Sequence, residues 1–549
     1  MKVKNLLLGS AAGLVVTAGA QAADLPARRA APVVAAEYVR ICTASGTGFF
    51  VIPGTDTCLR VSGRVRAEYR YFEPIGAAAG LGRGIDATGS RARGRLNIDA
   101  ITPTSYGNLR TYFRYEMTAN TGNYSQAFAS VENTSSNLDK AFIQFAGLTA
   151  GRVASFFDFY GNDLSFTQLA GSDLQTQNVL AYTTPFGGGV TATIGIEDST
   201  RRRTATPTNT EVAGFFFTPQ GLFAGQTVTT TTVGGVSVGS VTNPAGGVFI
   251  DDVQYGGQRA PDVVANLQID QPFGTFKISG AAHQIFAVNR VGLGTQGSFQ
   301  TNANSGLPNF VATNTGTGDF AESDYGYAIQ AGVKINLPQI AQGDVLWLQG
   351  AFGEGALSYV IGSNTSRGSN PIVQALSTGP VTNLGRLGLS SNLTDAVVVN
   401  GDIKKTEAFS FVAAFQHFFR PDLRGAVFGS YAEVDYSRFA GGTREFVVPV
   451  TPANPFGRTS SRFGFTDAQF FAVGGNLIFS PVRGLDIGAE VAYHNVERKG
   501  RTGQTLATGA AVGVGAGPGV AFGAAPVAVR GFLREEDALE GRIRVQRDF

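Results

Sequence analysis

Six arginines stand at even spacings in three short stretches: Arg64 and Arg66, Arg93 and Arg95, Arg110 and Arg114. Residues an even number apart on an extended chain share one face, so each stretch presents guanidinium groups to one side. A second set is acidic. Between Phe156 and Thr176 the only charges are Asp158, Asp163 and Asp173, and they lie among Phe156, Phe157, Phe159, Tyr160 and Phe166. Arginines on one wall and carboxylates on an aromatic loop can do one kind of chemistry, the electrostatic selection of solutes across a narrow aqueous gap. A unit charge ~8 Å from another is worth roughly 0.5 kcal/mol in bulk water and ~2 kcal/mol at an effective dielectric of 20. Several such terms orient dipolar solutes without binding any tightly. With 35 Arg and 8 Lys among the 43 basic residues, the wall keeps its charge at any relevant pH.

Other chemistries find little footing. His283, His417 and His494 are far apart in sequence, with no nucleophile motif near them, and a hydrolase needs a defined constellation. Two cysteines and scattered histidines make no zinc site. The Gly-rich tract 509–529 mimics a nucleotide loop, but no strand–helix unit surrounds it. The chain is therefore read as no enzyme, with no cofactor and no metal.

The elements that position the charges have period two. In Leu59–Tyr71 the odd positions Leu59, Val61, Gly63, Val65, Ala67, Tyr69 and Tyr71 are apolar or aromatic. The even positions Arg60, Arg64, Arg66, Glu68 and Arg70 carry five charges. Lipid on one side and water on the other would impose this pattern. It recurs in sixteen segments: 59–72, 90–102, 108–117, 138–147, 149–155, 177–184, 188–198, 262–271, 274–285, 324–337, 344–355, 406–417, 423–435, 467–480, 484–495 and 537–549. Short links rich in turn residues, such as Gln271–Gly274 and Pro481–Gly484, alternate with long ones, such as 199–261, 286–323, 356–405, 436–466 and 496–536. Short periplasmic turns and long outer loops predict that alternation. Tyr69, Tyr71, Tyr325, Tyr327, Phe409, Phe411 and Tyr493 fall at outer strand ends, and Phe273, Phe479 and Phe549 at inner ones, as two interfacial girdles require. Thr227–Val233 and Val236–Val241 around Gly234-Gly235 can pair as a hairpin on an outer loop, although low-complexity filler would read the same way.

Composition agrees. Charged residues are 15% of the 549, against roughly 25% in an ordinary soluble domain. Lys2 and Lys4, an apolar run to Ala20 and the Ala20-Gln21-Ala22 site read as a signal peptide over 1–22. Without the two lysines, 43 − 2 = 41 basic residues balance 41 acidic ones. No bulk charge therefore argues for nucleic acid as a partner. After the signal no helix-forming stretch is long enough to span a bilayer, and in lipid only helices and closed barrels satisfy the backbone. Cys42 and Cys58 lie in an exported chain, where an even count favours a disulfide over free thiols or a metal pair. The expectation is an all-β chain. It has a disulfide-containing N-terminal segment over 23–58 and a 16-stranded antiparallel transmembrane β-barrel over 59–549, and the link after the fifth strand is folded into the lumen.

The residues also carry a family likeness. Glu37-Tyr38-Val39-Arg40-Ile41-Cys42, followed by Gly48–Gly63, resembles the mature start of the alphaproteobacterial general porins of rhizobia and brucellae. Ala141–Arg152 and the last strand ending in Phe549 are similar as well. The resemblance implies a homotrimer of sixteen-stranded barrels in the outer membrane, with the third outer loop of each folded inward. It implies passive passage of ions and small hydrophilic solutes, and Phe549 as a signal for the barrel assembly machinery. The long outer loops 199–261 and 496–536 are least alike. A sugar- or anion-selective porin, and a non-conducting surface or adhesive barrel, are the alternatives.

Overall fold

Alternation along each segment produces one closed wall. The computed structural model describes residues 40–73, 86–124, 132–171, 176–203, 258–293, 323–362, 394–399, 402–436, 467–499 and 535–549, with short strands inside the links between them. The barrel strands are β1 (Cys58–Phe72), β2 (Thr88–Thr104), β3 (Gly107–Asn120), β4 (Asn133–Phe145), β5 (Leu148–Ala154), β6 (Thr176–Gly187), β7 (Val190–Glu197) and β8 (Asp262–Gln271). They continue with β9 (Gly274–Ile285), β10 (Asp324–Asn336), β11 (Val345–Glu354), β12 (Glu407–Arg420), β13 (Leu423–Asp435), β14 (Asp467–Val482), β15 (Leu485–Lys499) and β16 (Glu535–Asp548). Each of the sixteen expected segments is a strand, with ends displaced by a few residues; β4 starts at Asn133 rather than 138. Every strand pairs antiparallel with its sequence neighbours, and β1 pairs with β16 to close the sheet. At the seam Gly63 and Phe549 exchange both backbone hydrogen bonds.

The two faces separate as the pattern requires. Outward positions carry large apolar side chains that no protein covers: Val65 is 57% exposed, Ile329 51% and Ile543 58%. In a water-soluble protein such a continuous band would be an aggregation surface; here it is the lipid face. All ten girdle aromatics are on the exposed face, among them Tyr69, Tyr325 and Phe549. Among the described residues no helix is long and apolar enough to cross a membrane; one four-residue helix, α1 (Leu357–Val360), lies between β11 and β12.

Cys42 and Cys58 form the disulfide, with Cα atoms 6.0 Å apart. The bridge, Phe49, Val51 and Ile101 make a small apolar cluster at the inner end of β1, where the two-residue strand Phe50–Val51 pairs with Leu59 and Cys58. The hairpin on the seventh link is present: Thr227–Val233 pairs with Val236–Thr242 around the two glycines. The expected signal segment 1–22 and the tract 509–526 lie outside the described residues.

Candidate lumen constriction

The link after β5 is hydrogen-bonded to inward-facing side chains of the wall. Glu197 on β7 accepts from Ser155 Oγ at 2.7 Å and from the Phe156 N–H at 2.8 Å. Further round, Asn266 donates to the Phe156 carbonyl, Gln330 to that of Phe157 and Asn476 to that of Leu164, all at 2.7–3.0 Å. Gln349 accepts from the Tyr160 N–H at 2.8 Å and donates to the Gly171 carbonyl at 2.6 Å. At the tip, Glu490 on β15 accepts from the Phe166 and Thr167 N–H groups at 2.5 and 2.6 Å. Glu540 accepts from Thr167 Oγ1 at 2.8 Å, and Arg542 donates to the Phe166 carbonyl at 2.6 Å. The link thus spans the lumen from β7 to β16. Each backbone group named is satisfied by the wall, as a segment withdrawn from bulk water requires.

Two rings lock it in place by close approach. A Cβ at Gly332 would lie 2.2 Å from the Phe159 ring, and one at Gly488 would lie 2.7 Å from that of Phe166. Both glycines face the lumen, and any larger residue would push the link off the wall. Phe159 and Tyr160 also pack on Trp347, with centroids 5.1 and 5.3 Å away.

The three expected carboxylates do not act alike. Asp163 is exposed to the lumen; the surrounding protein raises its carboxyl above the usual range, and Lys334 opposes that rise. Asp158 departs from the expectation. Its carboxylate is buried 2.7 Å from Arg202, and its carbonyl accepts from Lys277 Nζ at 2.8 Å, so it anchors the link instead of facing water. The Arg202 partner arrives from a different link, which is why spacing alone did not reveal it. Burial disfavours the Arg202 charge, but Asp158 and its neighbours more than offset this and hold its proton firmly. Asp173 lies outside the described residues.

Opposite the link runs the arginine wall. On β1 to β3 the inward positions hold Arg60, Arg64, Arg66, Arg70, Arg91, Arg93, Arg95, Arg110 and Arg114, against Glu68, Asp99 and Glu116. The register sets Arg64 directly across from Arg95, and Arg66 across from Arg93. Like charges so placed repel, and the partners at hand offset this only in part. Arg64 pairs with Asp548 and Arg95 with Glu116. Arg66 finds the amide of Gln546 at 2.9 Å, and Arg93 the hydroxyl of Thr118 at 3.1 Å with Glu116 at 3.8 Å. Arg110 grips Asp99 with two bonds of 2.9 and 3.0 Å, while Arg114 bonds Asn97 and lies 3.4 Å from Asp139. The six expected arginines therefore share one wall, and pairing with carboxylates tempers their charge without removing its excess. Beside this wall, on β16, the Arg544 guanidinium lies 3.9 Å from the centre of the Phe166 ring. The three histidines each meet a carboxylate on the barrel: His283 Asp262, His417 Asp344 and His494 Glu540.

The chain has known relatives. The porin Omp2b of Brucella suis biovar 1 is 34% identical over 205 residues, 36% of this chain and 54% of that protein. The porin Omp2b of Brucella melitensis biotype 1 matches to the same extent. The match thus spans about half the length of these curated relatives. Among solved structures, the outer membrane channel DcaP of Acinetobacter baumannii superposes with a TM-score of 0.50 at 11% identity, covering 91% of this chain and 99% of that one, a likeness of fold alone. The family model of the porin subfamily matches residues 29–512. The chain belongs to that family, and its closed barrel places it in the Gram-negative outer membrane.

Proposed function

We propose that this porin-family barrel is a general diffusion channel for ions and small hydrophilic solutes, with a preference for anions. The observation that carries the reading is the asymmetry of the lumen. One side is filled by a link bonded to the wall from β7 to β16. The other keeps an excess of half-exposed arginines on β1 to β3. Sixteen strands enclose an aqueous channel rather than a packed core, and fixed charges around the narrowing set ion preference. Such a field sorts small solutes by charge and dipole while leaving them free to exit. No described inward track of lysines favours a dedicated anion pathway. The family resemblance supports a homotrimer, and assembly by the barrel machinery with Phe549 as part of its signal.

Reconstitution into planar bilayers tests this. Stepwise, ohmic conductance in multiples of three is expected, with a reversal potential displaced towards the anion under a salt gradient. A correctly folded protein that stays silent would refute the channel and favour a surface or adhesive barrel.

A further inference from the structure

The inward positions of β8 to β13 change character towards their outer ends. Deeper in the barrel they are polar, as at Lys277, Gln330 and Gln349. Further out a band of small apolar side chains, Val264, Ala281, Ala328, Ala351, Ala408 and Ala432, none more than 7% exposed, stands among the buried polar Asp262, His283 and Ser410. A wall facing channel water is polar; buried small apolar side chains there mean that protein packs against them.

What packs there is α1 with its neighbour Ile361. Leu357, Tyr359, Val360 and Ile361 are all at most 4% exposed and share one apolar cluster with those alanines. The seat is also polar in its details. Tyr359 donates to Asp262 at 2.7 Å, Ser410 Oγ to the Val360 carbonyl at 2.6 Å, and the Leu357 N–H to Asp395 at 2.8 Å. The helix also joins the constriction link. The Phe157 and Tyr359 rings meet edge to face at 4.8 Å, the Gly171 N–H donates to the Ile361 carbonyl, and Arg202 lies 4.2 Å over Tyr359 while bonding Asp158.

We infer that the link between β11 and β12 supplies a second inward wedge. Backed by it, the constriction link closes the β8–β13 side of the lumen and confines permeation to the arginine wall. Tyr359 is the positioning residue: it ties the wedge to the wall through Asp262 and to the constriction link through Phe157. This rests on the channel reading. If so, calibre and ion preference depend on a side chain remote from the arginines that select.

Single-channel recording on the full-length protein, in parallel for the native chain, Tyr359→Ala and Tyr359→Phe, is the test. Tyr359→Ala is expected to raise conductance about twofold and to lower the anion preference, because solutes gain a path away from the arginines. Tyr359→Phe keeps the ring contact to Phe157 but loses the hydroxyl bond to Asp262, so its conductance and reversal potential should fall between those of the native chain and Tyr359→Ala. Unchanged conductance and reversal potential in Tyr359→Ala would overturn the wedge, whereas silence of the native chain would overturn the channel reading beneath it. Should Tyr359→Ala not fold, Val360→Ala decides. Val360 is fully buried in the same apolar cluster, so its truncation should move conductance and reversal potential in the direction expected of Tyr359→Ala. Native values in a folded Val360→Ala barrel would show that the wedge is not seated.

Discussion

Asp158 and Asp163 stand five residues apart on one link and have opposite fates. Asp163 faces the lumen, so Asp163→Asn should leave stability unchanged and move the reversal potential further towards anions. Its raised carboxyl adds a pH dependence. Protonation removes a negative charge, so the native anion preference should strengthen as pH falls through a value above the ordinary aspartate range. Asp163→Asn should lack that component, and identical pH profiles for the two proteins would remove Asp163 from the pore. Asp158→Asn should behave in the reverse manner. It removes the carboxylate that neutralises Arg202, whose side chain is 1% exposed, and losing one charge of a buried pair costs about 3 kcal/mol. Thermal unfolding of detergent-solubilised barrels would show the loss, and an unchanged midpoint would contradict the anchor. The six arginines were legible as one face because alternation alone fixes a side. The fate of each aspartate was not, because it depends on a partner brought by another link.

At the level of elements, the strands were legible throughout because lipid and water impose opposite demands on adjacent residues, as Val65 and Arg66 show. The constriction link announced itself by rings without a polar face. The signal for the wedge was equally present, in the apolar run Ala356–Ile361 and in the alanines at inward positions of β8 to β13. It was lost because that run opens a long polar link and alanine is unremarkable in any strand. Two element-scale outcomes follow from packing. Gly332→Leu should dislodge Phe159 and yield channels of unsteady, larger conductance while the barrel still folds; steady native conductance would contradict the close approach. Replacing both Cys42 and Cys58 by Ser removes a bridge spanning 16 residues, worth about 3 kcal/mol in the chain-entropy model. A lower unfolding midpoint with normal conductance is expected, and altered conductance would assign the N-terminal segment a part in the channel.

For the whole molecule, closure by β1 and β16 brings arginines from both ends of the chain to one wall, and two links fill the facing half of the lumen. The barrel's charge distribution is therefore lopsided although the mature chain is expected to be close to neutral. The most direct test of the account asks whether neighbouring residues on β1 meet different solvents. The chain's two cysteines are joined in the disulfide, so single cysteines can be introduced at Val65 and Arg66 in a clean background. A charged, water-soluble thiol reagent added during single-channel recording should step the current down in Arg66→Cys and leave Val65→Cys unaffected. Block of both, or of Val65→Cys alone, would contradict a wall with lipid on one face and conducting water on the other.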